Sequence, residues 1–150
     1  MNRIAPFAVV LTALSGCIVY ETDDPYPYDP DPGGQVANYA PYTVWADAGC
    51  YWDNYNHDDV WYFEAEVDDP DGVYDVIAVY ADVWDTWDGR WVDSFELYPT
   101  ADPYFWFSDW LGSSTWLSCY YPDYAVDFVA YDAFDAYSVY TTSPWTYTGW

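Results

Sequence analysis

The chain has 150 residues and a net charge of −24, because 26 aspartates and glutamates face only two arginines and no lysine. Such a charge excludes ordinary binding to nucleic acid or to an anionic membrane surface, since every phosphate contact needs a cationic side chain. Apolar residues make up 53% of the sequence and aromatic residues 25%. This composition is ample for the core of one domain and excludes disorder over most of the chain.

The first 17 residues have the pattern of an export signal. Arg3 precedes a short apolar run over residues 4–14, which is too short for a membrane span of about 20 residues. The run ends in Leu14-Ser15-Gly16-Cys17, which resembles the lipobox of bacterial lipoproteins. The resemblance implies cleavage that leaves Cys17 as the first residue, and lipid modification of that cysteine. The alternative is an ordinary secretory signal in which the cysteine occurs by chance.

The same resemblance implies a location. A lipoprotein is anchored in the cell envelope by its acyl chains, and several chains together hold a protein stably. In the family, an aspartate directly after the lipidated cysteine tends to retain the protein at the inner membrane. Ile18 stands at that position here, which is compatible with the outer membrane of a two-membrane bacterium.

Three segments are expected: a signal over residues 1–16, a tether over residues 17–38 and a folded domain over residues 39–150. In the tether, four prolines alternate with aspartate and tyrosine before two glycines. Proline fixes the backbone and removes a hydrogen-bond donor, so this segment is expected to be an extended spacer rather than part of a sheet.

The third segment is expected to be all-β, because apolar and polar residues alternate in short runs that end at turn residues. In the second run, the residues expected to point inward are Trp61, Phe63, Ala65 and Val67. In the third run, the residues expected to point inward are Ile77, Val79, Ala81 and Val83. The predicted strands lie near 42–46 and at 60–67, 76–83, 91–98, 104–111, 125–132 and 136–142. Seven short strands are typical of an immunoglobulin-like β-sandwich.

Two stretches resemble bacterial immunoglobulin-like or fibronectin-III-like modules. The stretch from Trp61 to Val83 has two alternating runs joined by Asp69-Pro70-Asp71-Gly72, and it is similar to the second and third strands of such modules. The stretch from Val126 to Tyr140 is similar to their last two strands. The resemblance implies one sandwich domain and no particular ligand.

Two cysteines remain once Cys17 is assigned to lipid. Cys50 and Cys119 are expected to form a disulfide, because an exported protein meets an oxidising compartment. The strand predictions place Cys50 between the first and second strands and Cys119 between the fifth and sixth. In a seven-stranded sandwich both connections emerge at the same end, so the bond is geometrically plausible.

The sequence favours a binding or structural protein over an enzyme. His57 is the only histidine and lysine is absent, so a nucleophilic triad has one candidate base and charged transition states have few cationic donors. His57 beside Asp58 and Asp59 suggests either a metal ligand or a solvated loop histidine, and the second interpretation is favoured.

A cluster of aspartates surrounds Gly72 in the turn between the second and third predicted strands. No cofactor is expected apart from weakly bound Ca²⁺, which oxygen ligands on a tight turn suit. A solvated turn is the favoured interpretation, because aspartate also hydrogen-bonds its own backbone in turns. The candidate ligands are Asp68, Asp69, Asp71 and Asp75, and a second cluster comprises Asp82, Asp85, Asp88 and Asp93.

So many aromatic residues cannot all be buried in one small domain. Tyr62, Tyr80 and Trp84 are expected on the solvent face of neighbouring strands, where such side chains are typical of protein interfaces. The leading hypothesis is a lipid-anchored module of the cell envelope that mediates protein–protein interaction through an aromatic, Asp-rich surface. The alternative is Ca²⁺-assisted carbohydrate binding or adhesion. The sequence does not identify the protein or glycan partner.

Overall fold

The computed structural model describes residues 37–147. The predicted signal, Cys17 and the predicted tether up to residue 36 lie outside the described residues, as do residues 148–150. Within 37–147 there is no helix of the length and apolar character that a membrane span requires.

The described chain is all-β, as the sequence predicts, and every predicted strand is present. Two single-turn 3₁₀ helices, Val73–Asp75 and Gly112–Ser114, interrupt the connections. The strands are β1 Tyr42–Asp53, β2 Asp58–Asp68, β3 Val76–Asp85, β4 Arg90–Pro99, β5 Phe105–Leu111, β6 Tyr124–Asp132 and β7 Tyr137–Thr142.

Hydrogen bonding connects the strands in the order β1-β2-β5-β4-β3-β6-β7, and all neighbours are antiparallel. The junction between β5 and β4 is narrow, since it consists of the pairs Tyr98–Phe107 and Pro99–Trp106. The sheet therefore divides there into a three-stranded half (β1, β2, β5) and a four-stranded half (β4, β3, β6, β7).

The inner faces of the two halves pack against each other. The ring of Phe63 on β2 stacks on Phe95 of β4 with centroids 4.6 Å apart, and Trp61 meets Tyr124 of β6 edge to face at 5.9 Å. Aromatic contacts of this kind add to the free energy gained by burial alone. The fold is thus an immunoglobulin-like sandwich of seven strands, in which the fourth strand lies beside the third.

The far side of the sandwich is closed by the backbone beyond β7. Gly49 and Trp145 form a parallel bridge. The Trp145 carbonyl accepts from the Cys50 N–H at 3.1 Å, and the Trp145 N–H donates to the Ala48 carbonyl at 2.9 Å. The two halves are therefore hydrogen-bonded to each other at two places, between β5 and β4 and between β1 and the segment after β7.

The alternation predicted for β2 is confirmed. Trp61, Phe63, Ala65 and Val67 are fully buried, and the residues between them face outward. A strand with one buried face requires this period of two.

The prediction for β3 is wrong at one position. Val79, Ala81 and Val83 are buried as predicted, but Ile77 is exposed and Val76 takes its place in the core. The pairing of β3 with β6 has an irregularity between Val76 and Ala78. An extra residue in one strand shifts the alternation, so the side chains before it point the other way.

The first strand is longer than predicted and continues to Asp53. Cys50 therefore lies inside β1, not in the connection between the first two strands, whereas Cys119 lies between β5 and β6 as predicted. The two cysteines form the predicted disulfide, with Cα atoms 5.7 Å apart. Both are buried, so the bond joins β1 to the β5–β6 connection within the core.

Candidate functional site

The connection between β2 and β3 gathers three of the four predicted metal-binding aspartates. Asp69, Asp71 and Asp75 each place one carboxylate oxygen within 4.8 Å of the other two. Asp68 is not part of this group: its Oδ2 accepts a hydrogen bond from the Tyr42 hydroxyl at 2.9 Å and its Oδ1 accepts from the Asp69 N–H. The structure therefore does not bring Asp68 together with the other three aspartates, because as the last residue of β2 it is turned towards β1.

The local backbone explains why these three side chains meet. Asp69 accepts twice from the residues after it, through Oδ1 from the Asp71 N–H at 2.8 Å and through its carbonyl from the Gly72 N–H at 2.9 Å. Gly72 has φ +127°, a conformation that residues with a Cβ rarely adopt. Its carbonyl accepts from the Asp75 N–H at 2.8 Å. The chain thus doubles back and returns Asp75 to Asp69.

A fourth carboxylate, Asp132, lies beside this group. It is the last residue of β6 and is fully buried. Its Oδ2 accepts from the Asn38 side chain at 2.7 Å, and its Oδ1 accepts from the N–H groups of Phe134 and Ala136 at 2.8 and 2.9 Å. Burial acts to raise the pKa of Asp132, but these hydrogen bonds outweigh it and the pKa lies below its usual value.

Asp132 is not among the site residues that the sequence predicts. The available signal was an aspartate at the end of a strand before a turn, which is a common arrangement and carries no distance information. It lies more than 50 residues from the other three aspartates in sequence. The N–H of Ala133 donates to the Asp75 carbonyl at 3.0 Å, which holds the β6–β7 turn against the aspartate loop.

The negative charge of the Asp69 carboxylate is poorly compensated by its surroundings. Only 4% of its surface is exposed, and its Oδ2 has no hydrogen-bond partner among residues 37–147. Burial raises its pKa first, and the charges of Asp71, Asp75 and Asp132 raise it further, against the hydrogen bond from Asp71. Among residues 37–147 the one ion pair joins Arg90 to Asp88, so no salt bridge balances the negative charge gathered here.

The second predicted aspartate cluster does not assemble. Within the described part of the chain, none of its members belongs to a group of three metal-ligand side chains. Asp85 accepts from the Tyr121 hydroxyl at 2.8 Å and from the Trp87 N–H, while Asp93 accepts from the N–H groups of Ser94 and Trp116. Asp88 pairs with Arg90 at 3.6 Å on the surface. These carboxylates hold turns, and Asp82 lies on the outer face of β3.

His57, for which a solvated loop position is the favoured interpretation, also stays apart from any such group within residues 37–147. It lies in the β1–β2 turn with φ +52° and is exposed. Its neighbour Asp58 accepts from the Ser113 N–H at 3.2 Å. Asp59 lies close to both cysteines, but their sulfur atoms are already joined in the disulfide.

The three predicted aromatic binding residues do not share one surface. Tyr62 lies on the outer face of the three-stranded half, whereas Tyr80 and Trp84 lie on the outer face of the four-stranded half. These faces point in opposite directions, because the inner faces pack together. All three side chains are half-buried. The sequence does not reveal this separation, because β2 and β3 are consecutive in sequence but belong to different halves.

The side chain of Tyr62 contacts neighbouring residues of its own half of the sandwich. Its hydroxyl donates to Asp47 Oδ2 at 3.1 Å and its ring contacts Tyr51. Burial, then the charge of Asp47 and the hydrogen bond to it, raise the pKa of Tyr62 to about 12. This tyrosine is thus engaged with its own sheet.

The outer face of the four-stranded half carries an apolar band. Cross-strand pairs align Tyr80 with Val129 and Val139 in one row, and Tyr131 with Tyr137 in the next. Tyr137 and Val139 on β7 are exposed. We define the apolar band as the five residues Tyr80, Val129, Tyr131, Tyr137 and Val139.

Acidic residues border the apolar band. The adjoining row pairs Asp82 with Asp127 and Thr141, and Glu96 lies opposite Tyr80 on β4. The sequence analysis included only Tyr80 from the band. The side chains of β7 are all at least partly exposed, so its sequence lacks the alternation from which facing is inferred.

A cleft of about 370 Å³ opens near the β3–β4 turn. It is lined by Asp85, Arg90, Trp91, Val92, Trp116 and Tyr124. Trp91 and Trp116 are exposed, and Arg90 is the one cationic side chain in the described range besides His57. The cleft therefore combines two aromatic surfaces with a donor and an acceptor.

Comparisons with known protein families, with curated proteins and with solved structures gave no match to this chain.

Proposed function

We propose that this protein is a lipid-anchored binding module of the bacterial cell envelope, which holds a cationic protein partner on the outer face of its four-stranded half. The observation that carries the proposal is the apolar band with carboxylates along one side and at one end. In this band Tyr137 and Val139 are exposed, Tyr80 and Tyr131 are half-buried and Val129 is buried. Exposed tyrosine and aliphatic side chains on a sheet face are typical of a protein interface.

The charge of the chain supports a cationic partner. Asp82 and Asp127 border the band on one side and Glu96 lies at one end of it. The whole sequence has 26 acidic residues against two arginines. An acidic partner would be repelled. A basic surface would be attracted once it comes within about 1 nm of the domain, the distance beyond which salt screens charges, and would be guided to the band. The apolar contacts would then hold the complex.

The anchor in this proposal is Cys17. The resemblance of Leu14-Ser15-Gly16-Cys17 to a lipobox supports processing and lipidation there, and the proline-rich tether supports display of the domain away from the lipid. Cells that make the full chain are expected to incorporate labelled palmitate into it and to keep it in the membrane fraction. Cys17→Ser is expected to abolish both, and an unlabelled wild-type chain contradicts the anchor without affecting the interface.

The interface is tested by cross-linking in cells. A photo-reactive residue is placed at position 139 in the apolar band, or at position 44 as the control. Val44 on the three-stranded half is an equally exposed valine, 49% against 52% for Val139. The expected result is an adduct from position 139 alone, with a partner of positive net charge. No adduct, an acidic partner or equal adducts at both positions contradicts the proposal.

Binding of the identified partner is then measured with the purified proteins. Val139→Asp is expected to weaken binding at least tenfold, because it places a charge among the exposed side chains of the apolar band, where apolar contacts hold the partner. Val44→Asp is expected to leave binding unchanged. The affinity is expected to fall as the salt concentration rises, since screening reduces the attraction between opposite charges.

The cleft supports carbohydrate binding as a second candidate function. Trp91 and Trp116 offer stacking surfaces, and Arg90 and Asp85 offer a hydrogen-bond donor and acceptor beside them. A glycan array tests this, with Trp116→Ala as the cleft variant and Trp87→Ala as the control. Trp87 is as exposed as Trp116, 87% against 83%, but does not line the cleft. Glycan signals that only Trp116→Ala removes support this function, and an empty array rejects it.

A further inference from the structure

The carboxylate of Asp69 lacks what a buried charge requires. The residue is 4% exposed, its Oδ2 has no hydrogen-bond partner among the described residues, and two further carboxylates lie within 4.8 Å. Buried polar atoms are normally hydrogen-bonded, and like charges in one place destabilise a fold. A bound divalent cation satisfies the unpartnered oxygen and offsets two of the three negative charges.

We propose that Asp69, Asp71 and Asp75 bind one Ca²⁺ ion in the loop between β2 and β3. Asp69 contributes its unpartnered Oδ2. Asp71 Oδ2 accepts from the Tyr39 N–H at 2.6 Å, so its Oδ1 is the oxygen that faces the ion. Asp75 contributes a carboxylate oxygen, and water completes the six to eight oxygen ligands that Ca²⁺ takes.

The ligand chemistry selects among metals. All three side chains offer hard oxygen atoms, and neither histidine nor a free thiol is among them, so Zn²⁺ and Cu²⁺ are poorly matched. Mg²⁺ demands near-ideal octahedral geometry and gives up its water reluctantly, whereas Ca²⁺ accepts irregular carboxylate sites. The nearby charge of Asp132, whose oxygens are occupied by three donors, adds to the attraction for a cation without supplying a ligand.

The site is placed where three segments meet. Tyr39 binds Asp71 through its N–H, Asn38 binds Asp132, and Ala133 of the β6–β7 turn binds the carbonyl of Asp75. An ion held by the aspartate loop therefore stabilises the start of the domain and the β6–β7 turn as well as the loop. This role is independent of the proposed partner and of the lipid anchor.

The proposal is tested by calorimetric titration of the purified, chelator-treated full chain with CaCl₂ and with MgCl₂, at about physiological salt so that surface attraction is screened. One saturable Ca²⁺ site is expected, with Mg²⁺ at least tenfold weaker. Asp69→Asn is expected to abolish the site. Asp68→Asn removes the same charge one residue earlier and keeps an acceptor for the Asp69 N–H, so its Ca²⁺ binding is expected to stay within about threefold of wild type.

Thermal unfolding separates a lost site from a lost fold. In chelator, Asp69→Asn is expected to melt no lower than wild type, because it removes an unbalanced charge while its amide oxygen still accepts from Asp71. With Ca²⁺ added, only wild type and Asp68→Asn are expected to gain melting temperature. Equal shifts with Ca²⁺ and Mg²⁺ in wild type and Asp69→Asn mean counter-ion screening and overturn the proposal, as does the absence of a saturable Ca²⁺ signal.

Discussion

The phenol ring of Tyr62 on β2 covers Gly49 on β1, its direct cross-strand partner. A Cβ atom at Gly49 would lie 2.7 Å from the Tyr62 hydroxyl oxygen and 2.8 Å from a ring carbon, which is closer than such atoms approach. The same hydroxyl reaches Asp47, two residues earlier on β1. This pair therefore fixes the register of β1 next to Cys50, which must reach Cys119.

Replacing Gly49 by alanine is expected to destabilise the domain by about 1–3 kcal/mol, because the added methyl group overpacks the space under the Tyr62 ring. Urea unfolding measures the loss. A double-mutant cycle with Tyr62→Ala isolates the contact. If Gly49→Ala costs the same free energy with and without the Tyr62 ring, the close approach is not the cause.

Alkaline pH is expected to destabilise the fold through Tyr62. Its pKa in the folded chain is about 12, against about 10 for an unperturbed tyrosine. The folded state thus favours the neutral phenol, so this contribution is complete below about pH 10 and is lost as the pH rises through 12.

Hydrogen bonding to Asp85, then burial and nearby charges, raise the pKa of Tyr121 to about 12 as well.

The measurement is urea unfolding at a series of pH values between about 9 and 12. Tyr62→Phe is expected to reduce the dependence of the free energy of unfolding on pH in that range, because the titrating group is gone. Tyr55→Phe is the control, since Tyr55 is almost fully exposed. The same slope in wild type and Tyr62→Phe would show that Tyr62 does not titrate in this range.

The strand pattern could be predicted where side-chain alternation is strong. In β2, apolar and acidic residues take turns, so the buried face follows directly from the sequence. Ile77 was placed on the wrong face because the irregularity beside it is a backbone feature with no side-chain signature. The extent of β1 was underestimated because the sequence does not show that Gly49 and Cys50 pair with Tyr62 and Trp61 of β2.

The candidate sites show the limits of local patterns more clearly. Turn chemistry located the aspartate loop, but it could not tell that Asp68 turns towards Tyr42 while Asp69 is buried. Asp132 joins the loop only through the three-dimensional fold. Alternation likewise places Tyr62 and Tyr80 on the outside of their strands, and only the strand order shows that these outsides are opposite faces of the sandwich.

Removing the disulfide is expected to cost about 4 kcal/mol of unfolding free energy. Cys50 and Cys119 are 69 residues apart, and closing a loop of that length lowers the entropy of the unfolded chain by about this amount in the chain-entropy model. The double variant Cys50→Ala/Cys119→Ala is compared with wild type by urea unfolding. Wild type under reducing conditions serves as the control and is expected to approach the variant. An unchanged unfolding midpoint would mean that the bond does not constrain the unfolded chain.

Replacing Asp132 by alanine is expected to lower the melting temperature by about 10 °C, because the amide of Asn38 and the N–H groups of Phe134 and Ala136 lose their buried acceptor. Asp132→Asn is expected to be milder, since one side-chain oxygen still accepts from both N–H groups.

Because the pKa of Asp132 is lowered, its ionised form stabilises the fold above about pH 4, and this contribution is lost as the pH falls further. Thermal unfolding in acid and at neutral pH tests both statements, with Asp88→Asn as the exposed control. An alanine variant that melts like wild type would show that these hydrogen bonds do not hold the β6–β7 turn.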